Sequence, residues 1–150
     1  MKNNFMKNHK TAEHLEQTLA NSYTLSLKLQ NYHWNVVGPN FKPLHELFGA
    51  QYDELSVAID EIAERLRTFG VKIDATFEHF QKLSKIKNGD KNLKSDAMIK
   101  DLILGHEIVV EGLKAATKAA QEEGDEASAD LFIGRTTVHE KAIWMLVSSL

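Results

Sequence analysis

Four side chains in the first half of this 150-residue chain have the types and spacing of a metal site: His33, His45, Asp60 and Glu64. Imidazole nitrogen and carboxylate oxygen together suit iron, manganese or zinc. The chain has no cysteine, which sets aside disulfides, thiolate catalysis and a soft copper(I) site. Asp60 and Glu64 are i and i+4, so on a helix both carboxylates share one face. On the same helix His45 falls roughly 60° from Asp60 around the axis, at about 100° per residue. Along the axis the two are 15 residues apart, roughly 22 Å at about 1.5 Å per residue. One ion, with ligand bonds of about 2 Å, cannot reach both from a straight helix. Either the two ends serve different sites, or a second copy lies antiparallel and brings its Asp60–Glu64 end beside the first copy's His33–His45 end. A two-fold axis would make two such sites at once. Against any site stands the plainer reading that an i, i+4 acidic pair is a solvated helix face and a lone histidine a packing residue.

These side chains need rigid elements to hold them, and the periodicity is helical throughout. Leu15, Leu19, Ser22, Leu25, Leu29, Tyr32 and Val36 recur at three- and four-residue steps and predict a first helix over about Thr11 to Val37, ended by Gly38-Pro39. Leu44, Phe48, Tyr52, Leu55, Ile59, Ile62, Leu66 and Phe69 predict a second from near Pro43, stopped at Gly70. Residues 71–94 are too many for a structureless loop. A short helix is expected at Ala75–Lys85, with Phe77, Phe80 and Leu83 on one side, then a turn at 87–92. Met98, Leu102, Val109, Leu113 and Ala116 mark a helix over about Ser95 to Glu122; Leu131, Val138, Ala142 and Met145 mark the last, about Glu126 to Ser148. Gly124 breaks the one and Asp125 caps the other. The expected fold is all-α: a ferritin-like four-helix bundle over residues 11–150, with a short extra helix between helices two and three and a flexible N-terminal tail over 1–10.

Composition bounds the rest. With 43% hydrophobic and 26% charged residues the chain is ordinary for one globular domain. Only Pro39 and Pro43 interrupt helix formation. MKNNFMKNHK has no apolar run of signal-peptide or membrane-span length, so a cytoplasmic location and no membrane are expected. A formal net charge of −3 argues against nucleic-acid binding by the chain as a whole.

The segment NYHWNVVGPNFKPLHELFGAQYDELSVAIDEIAERLRTFG, residues 31–70, closely resembles the Dps family, the mini-ferritins named for DNA-binding proteins from starved cells. The likeness runs over roughly residues 10–148, through the short middle helix and the GDEASAD…AIWML ending. It implies a hollow dodecamer that oxidises Fe(II), preferentially with hydrogen peroxide, and stores the ferric mineral, protecting against oxidative stress. It implies a ferroxidase site at a two-fold interface, with His33 and His45 from one chain and Asp60 and Glu64 from its partner, Glu64 anchoring or bridging the tightest metal. One position departs from the family. The carboxylate expected one turn after the second histidine is replaced by Gly49. That puts the second, weaker iron position in question; water fills the gap, or Glu46 reaches in from the turn before.

The resemblance extends to three further sets of residues. Trp34 follows His33, where it either takes up oxidising equivalents or packs at a subunit contact. Asp125 and Asp130 match acidic residues of the family's three-fold iron-entry pores; for Asp125 capping is the stronger reading, for Asp130 the pore. Lys2, Lys7 and Lys10, with His9, form a modest basic tail whose twelve copies would give weak, salt-sensitive DNA association at the nucleoid. Two other functions compete with ferroxidation: DNA compaction with weakened metal chemistry, and a zinc- or manganese-loaded site that locks a dimer.

Overall fold

The computed structural model describes residues 9–150. Five helices follow one another: α1 (His9–Asn35), α2 (Phe41–Thr68), α3 (Phe77–Leu83), α4 (Ser95–Glu122) and α5 (Glu126–Val147). There is no strand among the described residues. The ferritin-like helical bundle is thus present, with α3 in the connection between the second and third long helices.

Short links of five residues (36–40) and three (123–125) pair α1 with α2 and α4 with α5, and helices joined so briefly run antiparallel. The longer stretch between α2 and α4 carries α3 across the bundle against α1, which also packs on α4. The stripes on α1, α2 and α4 are the core: Leu15, Leu25, Leu29 and Tyr32 meet Phe48, Leu55, Ile62, Met98, Leu102 and Leu113, all fully buried. At about 25 cal/mol per Å² of apolar surface removed from water, this burial is the main stabilising term.

The helix ends are held by identifiable groups. Gly70 (φ +78°) and Gly124 (φ +74°) follow α2 and α4 in the left-handed region that L side chains avoid. Pro43 sits in the first turn of α2, where a missing N–H costs nothing. The free N–H groups of Lys10 and Thr11 both donate to the Glu123 carboxylate at 3.1 Å, and the Thr11 hydroxyl adds a 2.5 Å bond. Burial alone would raise the Glu123 carboxyl, but these donors from Thr11 and Lys10 bring it below its ordinary range. The first helix is described from His9, two residues before the expected start, so Lys10 lies within it.

Candidate metal centre

His33 lies in the last turn of α1 and His45 in the second turn of α2, across the short link, so the hairpin brings them together. Their rings stack with centroids 3.8 Å apart and planes 10° from parallel. Nδ1 of His33 donates to the backbone carbonyl of His45 at 2.6 Å, and Nδ1 of His45 donates to the carbonyl of His33 at 2.6 Å. A carbonyl only accepts, so each Nδ1 carries a proton, and it is Nε2 of each ring that is left to offer a lone pair. Fixing a ring through its other nitrogen is how proteins orient a metal-binding imidazole. Phe41 backs the pair, its ring 5.2 Å from that of His45. Deeper in, the Tyr32 hydroxyl donates to Asp101, which also pairs with buried Lys28 at 3.0 Å, and it accepts from the N–H of Asp90. Burial raises the Tyr32 phenol above its ordinary range, so it remains a donor at neutral pH. This knot ties the turn at 87–92 to the residue before His33.

Asp60 and Glu64 lie exposed on one face of α2, without a salt bridge or hydrogen bond to any described residue. One chain does not bring them to the histidines: no cluster of three or more His, Asp or Glu that could hold a metal occurs among the described residues. The histidine pair thus stands at the start of α2 and the carboxylate pair in its second half, with no described residue bonded to either carboxylate. Glu46 is exposed and forms no hydrogen bond or ion pair with either histidine, while Trp34, next to His33, is 64% exposed.

The acidic pair near α5 divides. Asp125 is buried; its Oδ1 accepts from the N–H of Ser128 and from Arg65, both at 3.0 Å. The cap expected for Asp125 is present, with the Arg65 guanidinium on the same oxygen. Asp130 is exposed on the next turn. Of the basic residues, Lys2 and Lys7 lie outside the described residues, and Lys10 is exposed at the start of α1.

The sequence reading missed a second polar cluster, inside the bundle. His106 of α4 and His139 of α5 are 3% and 2% exposed. Arg135 donates from Nη2 to Nε2 of His139 at 3.0 Å, and from Nη1 to Glu54 at 2.6 Å. His139 Nδ1 lies 2.8 Å from His106 Nδ1, and His106 Nε2 lies 3.0 Å from Oε1 of Gln51. The cluster borders a cavity of about 360 Å³ between α2 and α5. The available signal was a gap in the α4 stripe between Leu102 and Val109, where His106 stands.

Comparison with known proteins agrees with this architecture. The model of the ferritin-like domain matches residues 12–150. The DNA protection during starvation protein 2 of Bacillus anthracis is 36% identical over 139 residues, covering 93% of this chain and 95% of the relative. A low temperature-induced protein of Nostoc is 38% identical over 136 residues, 89% of this chain and 76% of its own. Among solved structures, a Dps protein from Bacillus brevis superposes with a TM-score of 0.90 at 35% identity, covering 99% and 98% of the two chains. The Dps protein of Vibrio cholerae, described as a member of a broad superfamily of ferritin-like diiron-carboxylate proteins, gives 0.91 at 29% identity over 96% and 91%. With a family match over nearly the whole chain and these relatives, the chain belongs to the ferritin-like family, in its Dps branch.

Proposed function

We propose that this protein takes up Fe(II) at sites shared by two copies, oxidises it with hydrogen peroxide, and stores the ferric product inside a hollow homo-dodecamer, as a cytoplasmic defence against oxidative stress. The observation that carries the reading is the reciprocal lock of His33 and His45, which leaves a lone pair on each Nε2 with no protein partner. Asp60 and Glu64 of a second copy would complete the set, giving two nitrogens and two carboxylates that suit iron. Taken over two such sites, two Fe(II) give one electron each, one H2O2 takes both with two protons, and two waters form. Asp130 would attract incoming Fe(II), and Trp34 would sit beside the oxidation. No helix among the described residues is long and apolar enough to cross a membrane.

The test is Fe(II) plus peroxide, followed by ferric absorbance and by electron microscopy for a mineral core. His33→Ala and Asp60→Ala are each expected to slow oxidation by at least about tenfold. Unchanged rates in both would remove these residues from the site.

A second reading draws on the relative's name: DNA protection by physical compaction, through Lys2, Lys7 and exposed Lys10. It expects a gel shift at low salt that fades as salt rises. A site filled by zinc or manganese in place of iron would instead lock the dimer, and metal analysis of the purified protein separates the two.

A further inference from the structure

Gly49 stands where the family pattern has a carboxylate, and the exchange reads first as a lost ligand. The structure gives the glycine a use of its own. A Cβ at position 49 would lie 2.8 Å from Cε1 and 3.0 Å from Nδ1 of the His33 ring. Those separations fall well inside ordinary contact of about 3.5–4.0 Å, so the ring would have to move. It is not a loose end that moves freely. Its Nδ1 is tied to the carbonyl of His45 at 2.6 Å, and its face is stacked on the His45 ring at 3.8 Å. His45 in turn is tied back to the carbonyl of His33. Displacing one ring opens the whole unit.

We propose that Gly49 is the seat of His33: the absent Cβ lets the imidazole lie against α2, which holds both histidines with Nε2 free and limits each site to one metal ion. The ring fills the space into which a side chain at position 49 would extend, so a ligand from that position and this histidine arrangement exclude each other. Gly49 is thus a positioning residue that also sets metal stoichiometry. This inference rests on the metal-site reading proposed above.

Gly49→Ala tests it, because the two accounts of the glycine predict opposite results. If Gly49 is only a missing ligand, alanine ligates no better, improves the helix, and leaves metal affinity unchanged. If Gly49 seats His33, alanine pushes the ring off its carbonyl and weakens binding. Co(II) titration of the assembled protein, read by visible absorption, is expected to saturate at one ion per chain. In Gly49→Ala the affinity is expected to fall by about tenfold or more, with circular dichroism and the thermal midpoint showing an intact fold. A second readout needs no metal: 15N NMR of the metal-free protein should show the Nδ1–H tautomer at both His33 and His45, and lose it at His33 in Gly49→Ala. Equal Co(II) affinity in the two proteins, or an unchanged His33 tautomer, overturns the seat. Two ions per chain at similar affinity in the parent protein overturns the single-ion limit. If the parent protein binds no Co(II), the metal-site reading falls, and the tautomer signals still decide whether Gly49 seats His33.

Discussion

Two buried imidazoles in the bundle interior hold each other in one tautomer, and an arginine sets which. A guanidinium can only donate, so His139 Nε2 must accept from Arg135, and its proton is on Nδ1. That proton goes to Nδ1 of His106, whose own proton is then on Nε2, facing the Gln51 carbonyl oxygen. Every step runs in one direction and both rings are neutral. Burial is the first cause that keeps them so, with the Arg135 charge adding to it: His106 is held down from 6.5 to about 3. His139 is also pushed well down, by burial, then by His106 and Arg135. A base whose folded pKa is lowered binds its proton more readily in the unfolded chain, so stability falls as the pH drops below about 6.5 and continues to fall toward about 3. His106 contributes a slope of up to about 1.4 kcal/mol per pH unit inside that window, and His139 adds to it in the same direction. Urea midpoints between pH 4 and 8 should therefore be flat above neutrality and decline below it, and His106→Leu should reduce the decline. Arg135→Leu is expected to cost about 2–3 kcal/mol at pH 7, because it strands the His139 acceptor without a donor.

At the scale of elements, α5 explains what the sequence could and could not disclose. The stripes on α1, α2 and α4 were legible because nearly every position facing the core is apolar. On α5 the buried positions include Ala129, Phe132, Arg135, His139, Ala142 and Leu146, and two of the central ones are polar. Reading by apolarity keeps buried Ala142 but takes in Leu131, Val138 and Met145, of which the structure half-buries the first two and leaves Met145 39% exposed. A buried polar residue is paid for by partners on other helices, and those partners are not visible in local sequence. The same reason hid Glu123, whose role at the start of α1 depends on a contact 112 residues away along the chain. The proposed metal ligands stood out for the opposite reason: the carboxylate spacing shows on one helix, and the histidine pair needs only a short hairpin to meet. Asp125 joins the two cases, since its cap is local but its Arg65 partner is not. Asp125→Ala should lower stability by about 1–2 kcal/mol through the lost cap, measured by denaturant unfolding. Asp125→Asn, which can keep the cap, should recover part of it.

Across the whole molecule, several large apolar side chains lie open on the surface of the single chain. Trp34, Val37, Val57 and Phe77 are each more than 60% exposed, around the end of α1, the middle of α2 and the start of α3. Large apolar side chains left this exposed suit contacts between chains. The His33–His45 half-site adjoins Trp34, and Val57 lies one turn before the Asp60–Glu64 half-site, so the exposed surface borders both halves of the proposed site. A two-fold contact that buried it would bring unlike halves together twice, once at each end. Mixing two inactive variants tests this directly. In a pair made of one His33→Ala chain and one Asp60→Ala chain, one site loses both kinds of ligand, while the other keeps intact histidines from one chain and intact carboxylates from its partner. Random pairing makes half of the dimers mixed, and half of their sites whole, so dissociating and reassembling the two variants together should restore about a quarter of the parent oxidation rate. A site built within one chain would restore none, since every chain in the mixture lacks one of its own ligands. Recovery near a quarter therefore assigns the histidines and the carboxylates to different chains, and recovery of nothing from properly reassembled protein removes the shared site.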